Sequence, residues 1–128
     1  MFLSYLMIGT GSALGGMTRY AISKVFSENL PFVFPMGTLV VNVLGSFIAA
    51  LVVFFLAEKS LISPNTKLFL ITGFCGGFTT LSTFTLETTS FFRGNEFAFA
   101  FLNILSNIIL PICGIFLALY LSRFLTKI

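Results

Sequence analysis

The stretch Gly73-Phe-Cys-Gly-Gly-Phe-Thr-Thr-Leu-Ser-Thr-Phe84 decides how this chain is read. It lies inside an apolar segment of membrane-spanning length, yet it holds three glycines and four hydroxyl residues. Glycine lifts the steric bar to non-helical backbone. Clustered Ser and Thr side chains bond the amides and carbonyls that an interrupted helix leaves unpaired. Hydrocarbon tolerates such backbone only where protein covers it or where it lines a wet cavity. The stretch therefore predicts a helix break at membrane depth, and breaks of that kind form sites for ions or small solutes.

The rest of the 128 residues support a membrane setting. The chain is 57% hydrophobic and 9% charged, with a mean hydropathy of +1.06, where a soluble domain carries about 25% charged residues. Four apolar stretches, approximately 3–26, 36–57, 68–92 and 97–125, match the roughly 20 residues needed to cross a bilayer. The expectation is one all-α transmembrane domain over residues 1–128, multi-pass in the cell (plasma) membrane. The N-terminus has no basic segment or small-residue cleavage site, so residues 3–26 read as a retained span. A net charge of +3 without a basic stripe gives no footing for nucleic acid. Lysines and arginines divide four to two between the two sides, which favours cytoplasmic termini only slightly. So small a bias permits insertion in both directions.

Catalysis has no visible apparatus. There is no histidine, the commonest proton shuttle and metal ligand. The four acids do not form a pair, and Cys75 and Cys113 sit in apolar stretches where buried thiols are expected. What the spans offer is neutral donors. Thr38, Asn42 and Ser46 are spaced by four and form one polar line, either for interhelical hydrogen bonding or bordering a solute path, with two N–H donors on the Asn42 amide. Asn103, Asn107 and Pro111 share a face in the last span, where Pro111 predicts a kink or a freed acceptor at Asn107. Gly11 and Gly15 in the first span suit close helix packing. Arg19 either snorkels to the interface or faces a vestibule and pairs with a carboxylate. Glu87, the only acid well inside a span, is then its candidate partner. Prolines in Leu30-Pro-Phe-Val-Phe-Pro35 predict a loop.

These donors suit a small anion. The N-terminus of a helix resuming after a break carries unpaired N–H groups and partial positive charge, and the edge of a phenyl ring is positive. Gly73–Phe84 followed by Glu87 resembles the third-span motif of the CrcB (Fluc) fluoride channels, and Gly15-Gly16 with Arg19-Tyr20, and Asn42 with Gly45 and Ser46, resemble that family's first two spans. The resemblance implies a passive channel exporting cytoplasmic fluoride, built as an antiparallel dual-topology dimer with two pores at the subunit interface. It implies four spans, the third broken mid-membrane. It also implies a central structural sodium ion on main-chain carbonyls, here those of Gly76 and Thr79. By position, Asn42, Ser82, Thr83, Phe84, Asn103 and Asn107 match pore residues, and Arg19, Thr38 and Glu87 match its entrance. Leu81 stands where the family has its first pore phenylalanine, and Pro111 replaces a polar residue. The partner is therefore a second copy or a complementary homologue, this chain then being a half-active or non-conducting subunit. A membrane scaffold whose polar residues serve only packing is the reading from a different class.

Overall fold

The computed structural model describes residues 1–29 and 33–125, and all its regular elements there are helical. Helix α1 spans Phe2–Asn29. Helix α2, Met36–Leu51, continues into a wider π-helical segment, Val52–Ala57. A short α3, Pro64–Lys67, opens a second π-helical run, Leu68–Cys75, and then the single turn α4, Gly76–Phe78. Helix α5 covers Leu81–Arg93 and α6 covers Phe97–Leu125. Leu30, Pro31 and Phe32 of the expected loop, and Lys127 of the charge bias, lie outside the described residues.

Local chemistry sets the boundaries. Proline at the first helical position suits α3, where Ser63 Oγ accepts the Thr66 N–H at 3.1 Å. The turn after α5 closes through Gly94 N–H to Ser90 C=O at 2.9 Å and Glu96 N–H to Phe91 C=O at 2.8 Å. Asn95 takes the left-handed φ of 58° that this reversal needs, a conformation Asn tolerates better than most residues. Rings then tie α5 to α6, with Phe91 stacked on Phe99 at 5.6 Å and Phe92 edge-on to Phe101 at 5.9 Å.

Three helical runs are long and apolar enough to cross a membrane: Met36–Ala57, Pro64–Arg93 and Phe97–Leu125. Helix α1 has the length, with 28 residues, but its glycines, hydroxyls and terminal charges keep it below the same apolarity. Many large apolar side chains point outward, among them Leu81, Leu105 and Phe116, as lipid-facing surfaces require. Cys113 is one of the outward-facing residues, whereas Cys75 is buried. That corrects the expectation of two buried thiols: in a membrane chain an apolar neighbourhood includes the lipid face.

Helix α1 packs on Leu68–Cys75 and α4, α2 packs on α6, and α5 runs back along α6. The first contact depends on Gly11 and Gly15, both buried. A methyl at Gly15 would collide with the Phe74 carbonyl oxygen, and one at Gly11 with that of Phe69. Backbone thus meets backbone there, as the four-residue spacing predicts. Val41, Asn103, Ala100 and Ala118 are fully buried, so the centre of the α2–α5–α6 side contains one amide among small and branched apolar groups.

Candidate functional site

Between α4 and α5 two residues leave the helical region. Thr79 has φ −81° and ψ 160°, and Thr80 has φ −151° and ψ 119°. Extended backbone here removes helical partners, and α2 replaces them. Asn42 Oδ1 accepts the Thr80 N–H at 2.8 Å, and Asn42 Nδ2 donates to the Thr80 carbonyl at 3.2 Å. Gly45, one turn further along α2, leaves room for the crossing, since a methyl there would collide with Thr79 Cγ2. Thr80 then caps α5, its hydroxyl accepting the Thr83 N–H at 3.1 Å and donating to Thr83 Oγ1 at 3.0 Å.

These bonds also release two carbonyls. In a continuous helix Gly76 C=O would accept from Thr80 N–H, and Thr79 C=O from Thr83 N–H. Asn42 and the Thr80 hydroxyl now hold those two N–H groups. Arg19 donates to the freed Thr79 carbonyl at a long 3.5 Å.

From Asn42 a side-chain ladder runs through α6. Asn42 Nδ2 donates to Asn107 Oδ1 at 2.9 Å, and Asn107 Nδ2 donates to Asn103 Oδ1 at 2.9 Å and to the Asn103 carbonyl at 3.1 Å. Asn103 Nδ2 donates to Thr88 Oγ1 at 2.9 Å, and Thr88 donates to the Phe84 carbonyl at 2.8 Å. Both N–H donors of Asn42 are therefore engaged within the chain, which is interhelical hydrogen bonding, one of the two readings of the Thr38–Asn42–Ser46 line. Asn103 is fully buried, whereas Leu81, Ser82 and Thr83 lie on the exposed outer surface and Phe84 is half-buried. Helix α6 continues through Pro111.

At the other end of α2, Thr38 donates to Glu87 Oε1 at 2.6 Å. Glu87 Oε2 is buried without a hydrogen-bond partner among the described residues. Both residues line a cavity of about 500 Å³, together with Tyr20, Lys24, Glu28 and Phe34. Arg19 does not complete the expected pair with Glu87: among the described residues the one ion pair is Lys24–Glu28, at 3.7 Å. The freed Thr79 carbonyl captures the guanidinium instead, and the Thr38 hydroxyl takes its place at the carboxylate.

Two residues of this network, Thr80 and Thr88, were not among the site residues singled out from sequence. Thr80 had a usable signal, a hydroxyl three residues before Thr83 at a helix restart. Thr88 had none, because Thr85, Thr89 and Ser90 surround it and bond their own i−4 carbonyls in the same manner.

Comparison with known proteins adds independent evidence. The family model described as CrcB-like protein, Camphor Resistance (CrcB), matches residues 6–119. A fluoride-specific ion channel FluC of Pyrococcus horikoshii is 46% identical over 121 residues, covering 94% of this chain and 95% of that protein. Those of Chlorobium chlorochromatii and Thermosipho melanesiensis are 41% identical over 117 residues (91% of this chain, 87% of that protein) and 39% identical over 122 (94% and 97%). With three helical runs fit to cross a bilayer, this is a multi-pass membrane protein, and the chain belongs to the CrcB-like family.

Proposed function

We propose that the chain is a subunit of a passive fluoride-selective channel. The observation that carries this reading is the extended Thr79–Thr80 crossing inside an apolar helical run, with hydroxyls at the restart of α5. Relatives of nearly the same length bear the name fluoride-specific ion channel. On this reading α1 is a fourth span and the crossing is the mid-membrane break of the third. Ser82 and Thr83 sit on the outer surface, so a path lined by them is closed by a second subunit, inserted antiparallel to the first. Fluoride holds water strongly. Its passage therefore needs donors along the route, supplied here by Ser82, Thr83, the α5 N-terminus and the Phe84 ring edge. Arg19, Thr38 and Glu87 form the entrance, half-buried Asn42 borders the path, and Asn103 and Asn107 lie behind it.

The residues present suit a sodium ion at the centre. Gly76 and Thr79 have carbonyls whose helical donors are held elsewhere, and a guanidinium is already drawn to one of them. Carbonyl oxygens are the ligands that hard cations prefer. When bound, the ion would supply a fixed positive charge that offsets repulsion between anions.

A second reading, a non-conducting membrane partner, draws on the engagement of both Asn42 N–H groups within the chain. Fluoride efflux separates the two. The purified chain is reconstituted in potassium fluoride-loaded vesicles, valinomycin is added, and a fluoride electrode records release. Rapid loss of fluoride, with chloride retained by matching vesicles loaded with potassium chloride, is the expected result. Release only after a homologous chain is co-reconstituted assigns this chain to a heterodimer. Vesicles that hold fluoride with either preparation would refute the channel reading.

A further inference from the structure

We propose that Asn107, Asn103 and Thr88 are positioning residues: they form a one-way hydrogen-bond relay that holds the Asn42 amide in place from behind its contact with Thr80, with Thr88 at the far end. The inference rests on the channel reading for its effect on flux, but its geometry stands on the side chains alone.

The direction of the relay follows from its ends. Thr80 N–H can only donate, so the Asn42 atom facing it at 2.8 Å is the oxygen. Asn42 Nδ2 must then face Asn107, which presents its oxygen at 2.9 Å. By the same logic Asn107 Nδ2 faces Asn103 Oδ1, and Asn103 Nδ2 faces Thr88 Oγ1. Thr88 ends the series by donating to Phe84 C=O, which can only accept. Both ends are main-chain groups of fixed polarity, so turning one amide sets oxygen against oxygen or N–H against N–H at its contacts. None of the three amides can turn, alone or with the others, without such a mismatch, and Asn42 and Asn107 are held besides by the main-chain carbonyls of Thr80 and Asn103. Asn103, at the middle, is fully buried, and no water reaches it to compensate a lost partner.

The consequence is control at a distance. Thr88 is three hydrogen bonds from Asn42 and donates on its far side to the backbone of Phe84. An anion that takes an N–H from Asn42 must draw it from Asn107 or from the Thr80 carbonyl. How readily Asn42 yields depends on how firmly Asn103 and Thr88 hold Asn107 in place.

The test compares Thr88→Val, which keeps the shape and removes the hydroxyl, with Thr88→Ser, which keeps the hydroxyl. Asparagine-labelled protein in detergent micelles gives the direct readout, the Asn42 side-chain amide resonances, identified by their loss in Asn42→Ala. T88V is expected to shift them and to speed their exchange with solvent, and T88S to restore them. In vesicles T88V is expected to change the fluoride efflux rate by about tenfold, equal to about 1.4 kcal/mol, the order of one buried hydrogen bond. T88S returns the rate towards that of the unsubstituted chain, and T88V has no further effect in the Asn42→Ala background. Unmoved Asn42 resonances in T88V, or equal disturbance by T88S, would overturn the relay. Should T88V fail to fold, Asn103→Asp, which replaces the donor facing Thr88 with an acceptor, gives the same readout. If the unsubstituted chain releases no fluoride while its Asn42 amide still answers to Thr88, the channel reading falls and the relay stands.

Discussion

Asn42 holds both main-chain polar groups of Thr80, accepting its N–H at 2.8 Å and donating to its carbonyl at 3.2 Å, across 38 positions of sequence. The side-chain amide thus does for Thr80 what a neighbouring strand does in a sheet. Apolar surroundings make that contact necessary, because an unpaired backbone group in hydrocarbon costs several kcal/mol.

Replacing Asn42 by alanine should therefore destabilise the fold before any effect on transport is considered. Two backbone groups lose their partners, at about 1–3 kcal/mol each. Asn42→Asp should fall between, since one oxygen still accepts the Thr80 N–H. Thermal unfolding in detergent, followed by circular dichroism, ranks the three proteins. An alanine variant as stable as the parent would show that the contact does not support the crossing.

The approach of α1 to Leu68–Phe78 makes a paired prediction. Gly15→Ala places a methyl against the Phe74 carbonyl, while Gly16→Ala meets nothing within 4 Å. We expect G15A to lower stability by about 1–3 kcal/mol, as overpacking does, and G16A to leave it level or raise it slightly through better helix propensity. Size-exclusion profiles and melting temperatures give the comparison, and similar behaviour of the two variants would contradict the packing.

Thr38 supports Glu87 at 2.6 Å, and the other carboxyl oxygen of Glu87 is buried without a partner among the described residues. Thr38→Val would leave both oxygens unsupported, at a cost of about 1–3 kcal/mol, and Thr38→Ser should recover most of it. Equal stability of T38V and T38S would show that the hydroxyl carries no weight there.

Arg19 and Glu87 have different partners, the Thr79 carbonyl and the Thr38 hydroxyl. Their substitutions should be additive. In a double-mutant cycle of Arg19→Gln and Glu87→Gln, read by thermal unfolding, we expect a coupling energy below about 0.5 kcal/mol. A larger coupling would restore the ion pair that the two charges suggest when read from sequence alone.

Local pattern carried much of this molecule. The lengths of the apolar stretches, the spacing of Gly11 and Gly15, and the crowding of glycine and hydroxyls near Gly73–Phe84 are properties of neighbouring residues. Each acts through backbone geometry over one or two turns, so helices, a close α1 contact and an irregular third segment could all be read before any coordinates. Even there, π-helical turns at Val52–Ala57 and Leu68–Cys75 gave no warning.

Partnerships between distant residues were decided by packing. The extended residues fall at Thr79 and Thr80, where Asn42 on another helix supplies the missing hydrogen bonds and Gly45 the space. Asn103 is enclosed while Ser82 and Thr83 are exposed, and Arg19 finds a carbonyl in place of an acid. A donor can choose among many acceptors, and only the relative placement of whole helices selects one. Composition and periodicity settled that this chain is helical and built for lipid. Which polar groups meet inside it followed from the geometry of contact, because hydrogen bonds depend on tenths of an ångström that no spacing rule conveys.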